Sequence, residues 1–379
     1  MSRERPLLLL SGLPLDRKPS FFRQLDFLAA ALRERGRRVL LGGPVFQDSG
    51  SQGGPGAWSR AGAPEARWAL AGSDRDPLRF AEVLNRTDPQ GVIALGYPDQ
   101  FPFLHGPLQA ILPPCYLWSQ FSRSPKGELP RTATYVPLTD KTASHLHAAG
   151  CAGIGPVIPH GVDARVFAPL TGPELECLKD GYAGAGTFVV GTVANNSMRK
   201  RLDLIVRSYA LFARRHHCSR LLIKTDRSVS RDGVDLPALI AREKMEDRAE
   251  IILTELTEPG MVELYNRMDL YLNLSEWEGF CIPVVEAMAC CVPVVSPPIQ
   301  GPGEVIPYTD GLVPGGLIRE DGETPLYQAD PRAVCRVLMT LAEDGALRSR
   351  LSKRGRTAVL SRYEIRRVAA QWERLLSVL

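Results

Sequence analysis

The chain has 379 residues, 44% hydrophobic and 23% charged, with a formal net charge of +4. That length allows two domains with separate cores, and the composition is that of an ordinary globular protein, which excludes a disordered or collagen-like chain. No apolar run approaches the roughly 20 residues needed to cross a bilayer, and the short apolar stretch within residues 3–12 is followed at once by Pro14, Asp16, Arg17 and Lys18, so it reads as a first buried strand rather than a signal sequence.

The eight cysteines (115, 151, 177, 218, 281, 290, 291 and 335) form no Cys-x-x-Cys pair. This points to reduced thiols in a cytoplasmic protein and away from a zinc site or disulfide scaffold. Residues 1–160 hold 18 Lys/Arg against 13 Asp/Glu, a balance of +5, whereas residues 161–379 hold 28 against 29, a balance of −1.

The first half alternates strands and helices. Residues 6–11 form an apolar run, and residues 21–35 carry helical periodicity through Phe22, Leu25, Leu28, Ala29 and Leu32. Arg33, Arg35, Arg37 and Arg38 cluster at the end of that helix. They read as cations stabilising its C-terminal dipole or, with a lipid-linked acceptor, as a dock for an anionic membrane surface. Residues 38–41 are the next strand, and residues 47–64, rich in Gly, Ser and Pro, a mobile loop. Asp74-Arg75-Asp76 has the form of a metal-holding triplet, but with Pro77 following it reads as a helix start. Further strands fit 91–95, 115–118, 134–137 and 156–158, and a helix fits 140–149. A βαβα pattern implies a doubly wound parallel α/β sheet with ligands at the carboxyl ends of its strands. Tyr97, Asp99, Ser119 and Gln120 fall at such ends, and His105 reads as structural. The turn at 157–163, with Pro159, His160 and Gly161, is a candidate hinge.

The second half restarts the pattern, with strands at 188–194, 221–224, 250–253, 269–274 and 293–296. After the first of these, a helix is predicted to begin near Ser197 or Met198, placing Arg199 and Lys200 in its first turn. There they have the wrong sign for the dipole unless an anion is bound. Arg201 is the ordinary member of this basic start. Thr254 and Leu256 follow the third strand. In the turn after the fourth, Gly279 permits a close backbone approach, Pro283 suits a first helical turn, and the amides of Phe280, Cys281 and Ile282 make an anion site at a helix N-terminus. Glu278 sits in that turn and Glu286 one turn into the helix. A nucleotide-sugar, with an anion and hydroxyls together, would satisfy both.

Ser275-Glu-Trp-Glu-Gly-Phe-Cys-Ile-Pro-Val-Val-Glu286, running on through Ala287-Met-Ala-Cys-Cys-Val-Pro-Val-Val-Ser296, resembles the Glu-x7-Glu motif of family-4 glycosyltransferases, retaining enzymes of the GT-B fold. Cys281 and Cys291 depart from it, standing where many relatives carry glycine. Residues 157–163 resemble the family's interdomain linker, residues 363–378 its terminal crossing helix, and the segment 191–203 its diphosphate-binding segment. In the last of these Lys200 matches the family lysine, and the usual arginine falls at Asn195, so Arg199 substitutes for it. Gly12 matches a Gly-rich loop that approaches the donor phosphate and the acceptor.

The resemblance implies two Rossmann-like domains facing across a cleft: residues 1–160 with helix 361–379 for the acceptor, and 161–360 for the donor. It implies a transferase moving sugar from a nucleoside diphosphate sugar with retention, without a metal cofactor. Glu278 orients the sugar, Glu286 holds the ribose hydroxyls, and Lys200 and Arg199 stabilise the leaving diphosphate. Acceptor and sugar are left open, and nucleic acid is not expected as a partner. The absence of a P-loop, a His-Glu-x-x-His and an early Gly-x-Gly-x-x-Gly weakens NTPase, metalloprotease and dehydrogenase readings. An epimerase or hydrolase on the same fold, or a silent nucleotide-sugar-binding protein, is the alternative.

Overall fold

Hydrophobic strands buried on both faces dictate the first unit. Its first strand, β1 (Leu7–Ser11), is four leucines and a serine, all buried, as expected of a parallel strand covered on two sides. The computed structural model describes residues 5–12, 20–45, 67–71, 77–105, 107–121, 125, 129–313, 315–320 and 325–377. Residues 14–18, the loop predicted at 47–64 and the Asp74-Arg75-Asp76 triplet lie outside the described residues. The chain divides into two compact units, residues 1–161 with 365–379, and residues 162–364.

In the first unit β1 is followed by α1 (Ser20–Glu34), β2 (Val39–Val45), β3 (Arg67–Ala71), α2 (Pro77–Thr87), β4 (Gly91–Leu95), β5 (Cys115–Ser119), β6 (Ala133–Pro137) and α3 (Asp140–Ala148). The strands form one parallel sheet in the order β3-β2-β1-β4-β5-β6, the doubly wound order with its switch point between β1 and β4. The strand predicted at 156–158 does not form. Pro156 and Pro159 supply no amide, and the segment is instead tied to β6 by Gly155 N–H donating to Tyr135 C=O (2.8 Å) and Ile158 N–H donating to Pro137 C=O (2.9 Å). His160 is buried against the Trp118 ring, 4.8 Å between centroids, and burial lowers its pKa to about 3, so it is neutral at physiological pH.

The second unit contains α4 (Gly172–Ala183), β7 (Phe188–Val193), α5 (Leu202–Ala213), β8 (Ser219–Lys224), α6 (Leu236–Glu243), β9 (Ala249–Ile252), α7 (Glu258–Arg267), β10 (Leu270–Leu272), α8 (Ile282–Ala289), β11 (Val294–Val295) and α9 (Pro302–Val305). These are followed by the antiparallel pair β12 (Gly315–Glu320) and β13 (Pro325–Ala329), then α10 (Pro331–Glu343) and α11 (Gly345–Ala358). The parallel sheet runs β11-β10-β7-β8-β9. Its switch point lies between β7 and β10, because the connections leave β7 in one direction and return on its other side at β10.

A last helix, α12 (Ile365–Ser377), completes the first unit. Trp372 is fully buried, edge-on to Trp118 (5.5 Å) and Tyr116 (6.0 Å). Arg366 bonds Glu34 of α1 at 2.9 Å, and Arg35 and Arg37 both pair with Glu373. Arg33 donates to Val39 C=O at 2.8 Å. Three of the four arginines considered for a membrane surface are therefore engaged within their own unit. Among the described residues no helix is long and apolar enough to cross a membrane.

Candidate functional site at the switch point of the second sheet

The loops after β7 and β10, on either side of the switch point, carry the predicted charges. After β7 the chain forms a single 3-10 turn, Met198–Lys200, and α5 begins only at Leu202. This corrects the predicted helix start. Arg201 adopts the left-handed conformation (φ 49°), which breaks the helix before it can include Arg199 and Lys200. Arg201 itself is not a solvated bystander. It forks onto Asp203 (3.0 and 3.1 Å) and reaches Glu276 Oε1 at 2.8 Å, so it ties the two loops together. Glu276 N–H adds a backbone bond to Arg199 C=O at 2.9 Å.

Lys200 and Arg199 are brought together with Glu278, 78 residues away. Lys200 Nζ donates to Glu278 Oε1, and Arg199 Nη1 lies 2.8 Å from the same oxygen. Both Lys200 and Glu278 are buried. The Ser275 hydroxyl lies 2.8 Å from Glu278 Oε1 and equally close to Asn273 Oδ1. Asn273 Nδ2 donates in turn to Ser296 Oγ at 3.0 Å. Burial alone pushes the Glu278 carboxyl up, but the Lys200 and Arg199 charges and the bonds from Lys200 and Ser275 outweigh it. The result is a carboxyl held below its ordinary range.

A depressed folded-state pKa stabilises the protein fully above the unfolded carboxyl range and loses that contribution as pH falls through the folded value. Thermal melts should therefore show a gap between wild type and Glu278→Gln that is constant near neutral pH. It should narrow below about pH 4. A gap independent of pH down to acid unfolding would remove the ion pair from this account.

Glu286 lies within α8, 1% exposed, and accepts from the Tyr265 hydroxyl at 2.7 Å. The fully buried Tyr271 is influenced electrostatically by Cys281, Glu278 and Glu286 alike, so the three belong to one neighbourhood. Cys281 caps α8 at φ 71°, a conformation that favours glycine. Its thiol is buried and pushed up to about 12, mainly by desolvation, which keeps it protonated and unreactive at neutral pH. Gly279 and Phe280 form the turn just before it. Phe280 is buried, with its ring 5.9 Å from Tyr363, and Ile282 and Pro283 open the helix.

The remaining candidates lie farther out. Asn195 is exposed, and its carbonyl accepts from Ser197 N–H. Its neighbour Asn196 is buried and fastens the loop after β8: its N–H donates to Asp226 Oδ1 (2.7 Å), and its side chain exchanges bonds with Val234 N–H (2.9 Å) and C=O (2.7 Å). Thr254 and Leu256 follow β9, at the same carboxyl edge but two strands from β7. Gly12 belongs to the first unit, at that sheet's own switch point. Its N–H donates to Leu95 C=O, and a Cβ there would lie 2.3 Å from Gln100 Oε1. Sequence reasoning passed over Ser275, Asn273, Trp277 and Tyr265. Only Ser275 carried a local signal, the Ser-x-x-Glu spacing to Glu278.

Two doubly wound parallel sheets in one chain define a GT-B-like fold. The chain aligns with sucrose-phosphate synthase from Thermosynechococcus elongatus at a TM-score of 0.77 and 16% identity, covering 98% of both chains. Residues 187–343, which hold both charged loops, match the family described as glycosyl transferases group 1. The chain is 27% identical to an N-acetyl-alpha-D-glucosaminyl L-malate synthase of Bacillus anthracis over 48% of its length, and to a GDP-mannose-dependent alpha-mannosyltransferase of Mycolicibacterium smegmatis over 51%. Those alignments span 43% and 44% of the two relatives, less than half of either.

Proposed function

We propose that this protein is a retaining glycosyltransferase that takes a sugar from a nucleoside diphosphate sugar and passes it to a hydroxyl-bearing acceptor. The observation that carries the reading is the convergence of Lys200, Arg199 and Glu278 at the switch point of the second sheet, within the segment that matches the glycosyl transferases group 1 family. The name of the mycobacterial relative, a GDP-mannose-dependent alpha-mannosyltransferase, adds support for a nucleoside diphosphate sugar as donor.

In this reading the donor diphosphate lies against the turn Met198–Lys200 and the start of α8. Breaking the anomeric C–O bond leaves its electron pair on the diphosphate, and Lys200 and Arg199 stabilise that charge as it develops. Glu278, whose carboxyl stays ionised at physiological pH, accepts hydrogen bonds from sugar hydroxyls. Glu286 accepts them from the ribose. The acceptor hydroxyl attacks from the face the diphosphate leaves, and its proton passes to the departing phosphate oxygen, so configuration is retained. Acceptor determinants are assigned to the first unit, where Gly12 stands at the carboxyl edge of the sheet.

Purified protein incubated with a panel of nucleoside diphosphate sugars, with and without candidate hydroxyl acceptors and followed by mass spectrometry, tests the reading. Transfer requires acceptor. Release of free sugar or conversion of the donor alone would replace the transferase by a hydrolase or epimerase. Because two cations serve the diphosphate, turnover is expected to persist in excess EDTA. Loss on chelation, restored by magnesium or manganese, would overturn the metal-independent version.

A further inference from the structure

Trp277 stands immediately before Glu278, and its backbone and ring both hold Arg199. The guanidinium carbon lies 4.6 Å from the indole centroid, and Arg199 Nη1 donates to Trp277 C=O at 3.0 Å. The same nitrogen lies 2.8 Å from Glu278 Oε1. One face and one nitrogen of the guanidinium are thus committed to residues 277 and 278. Among the described residues, Nε and Nη2 carry no hydrogen bond, so the opposite edge of the fork presents two or more unused N–H groups.

The two cations are held differently. Lys200 is buried, with its ammonium on Glu278, and a point charge needs no orientation. The Arg199 side chain is 27% exposed, and its value to an anion depends on the direction in which the planar fork points. A long side chain at the rim of a turn loses that direction unless something fixes its plane. Stacking on an indole does so, and the carbonyl of the same residue fixes the rotation within the plane.

We propose that Trp277 is a positioning residue for diphosphate binding. It sets the plane of Arg199 so that the Nε/Nη2 edge faces the phosphate oxygens. This rests on the reading of Lys200 and Arg199 as phosphate cations, and the experiment separates the two.

UDP and GDP, without sugar, are the probes, titrated calorimetrically into wild type, Lys200→Ala, Arg199→Ala, Arg199→Lys, Trp277→Phe, Trp277→Leu and Arg199→Ala/Trp277→Leu. At least one of the two is expected to bind wild type. Trp277→Leu should weaken that binding about three- to ten-fold, the range for a partly desolvated cation–π contact, and Trp277→Phe should recover most of the loss. Arg199→Lys should lose nearly as much as Arg199→Ala, because the ammonium keeps charge but not the fork. In the Arg199→Ala background, Trp277→Leu should cost nothing further.

An additive loss in the double variant would make Trp277 a wall of the loop rather than a support for Arg199, and would overturn the proposal. So would unchanged binding in both Trp277 variants while Arg199→Ala weakens it. Unchanged binding in Arg199→Ala beside a loss in Lys200→Ala would overturn the proposal and leave the site reading standing. Binding untouched in both cation variants, or absent from wild type for both nucleotides, would overturn the site reading as well. Melting temperatures recorded alongside separate lost folding from lost affinity, and Trp277→Phe keeps the test open if Trp277→Leu does not fold.

Discussion

Lys200→Ala is expected to lower turnover about 100- to 1,000-fold while weakening donor binding far less. The leaving diphosphate carries more negative charge in the transition state than in the bound donor, so a buried cation against it acts mostly on the barrier. The magnitude is that found when one preorganised donor to a developing oxyanion is removed. The substitution also strips a buried carboxylate of its nearest partner. Breaking a buried pair from one side typically costs about 3–5 kcal/mol, and Arg199 and Ser275, which remain on Glu278 Oε1, should hold the loss near the lower end.

Stability and catalysis can be separated by the second substitution. Lys200→Ala/Glu278→Gln removes the uncompensated carboxylate and should recover much of the melting temperature. Turnover should stay at or below the level of Lys200→Ala. Recovery of both together would mean that Lys200 serves folding through Glu278 and not the diphosphate. Steady-state kinetics, single-turnover rates and thermal melts on the three variants decide the matter.

Where the strands and helices lie was largely legible because burial writes itself locally. Four consecutive leucines in β1 and Gly-Val-Ile-Ala-Leu in β4 have no reading but a strand covered on both faces, and the structure places both at the centre of the first sheet. The pair β12 and β13 leaves no such trace, since β12 opens on two glycines and ends in charges, β13 opens on a proline, and neither shows a clean two-residue alternation. The turn at Arg199 and Lys200 was misread as helix for a different reason. Its residues are good helix formers, and what ends the turn is the left-handed Arg201, held by Asp203 and Glu276.

The site shows the same limit more sharply. Its residue types and the spacing of its glutamates were visible along the chain. The bond from Lys200 to Glu278, the stacking of Arg199 on Trp277 and the reach of Tyr265 to Glu286 join residues 21 to 78 positions apart. No local propensity encodes such pairs. They follow from the strand order, which sets the loop after β7 beside the loop after β10. The Tyr265 contact has a further cause: its ring is fully buried, 6.1 Å from that of Tyr271, and a tyrosine can be buried there only if its hydroxyl finds an acceptor. Glu286 provides it.

That contact shapes the second large effect. Glu286→Gln is expected to weaken UDP or GDP binding about 10- to 150-fold, the equivalent of about 1.5–3 kcal/mol for a charge-assisted hydrogen bond to a buried acceptor. The amide preserves the shape of the side chain and can still accept from Tyr265, so the change removes charge with little disturbance of packing. Tyr265→Phe probes the support from the other side. It frees one carboxylate oxygen of its donor at 2.7 Å and should cost affinity only modestly, because a ribose hydroxyl can take the vacated position.

Nucleotides lacking one ribose hydroxyl identify the partner directly. The 2′-deoxy and 3′-deoxy diphosphates should bind wild type more weakly than the parent compound, and at least one of them should bind wild type and Glu286→Gln with nearly equal affinity. That equality follows if the missing hydroxyl and the missing charge belong to one hydrogen bond, since removing the second partner then costs little more. Independent, additive losses would place the ribose elsewhere and leave Glu286 as a buried acceptor for Tyr265, a structural carboxylate at the heart of α8.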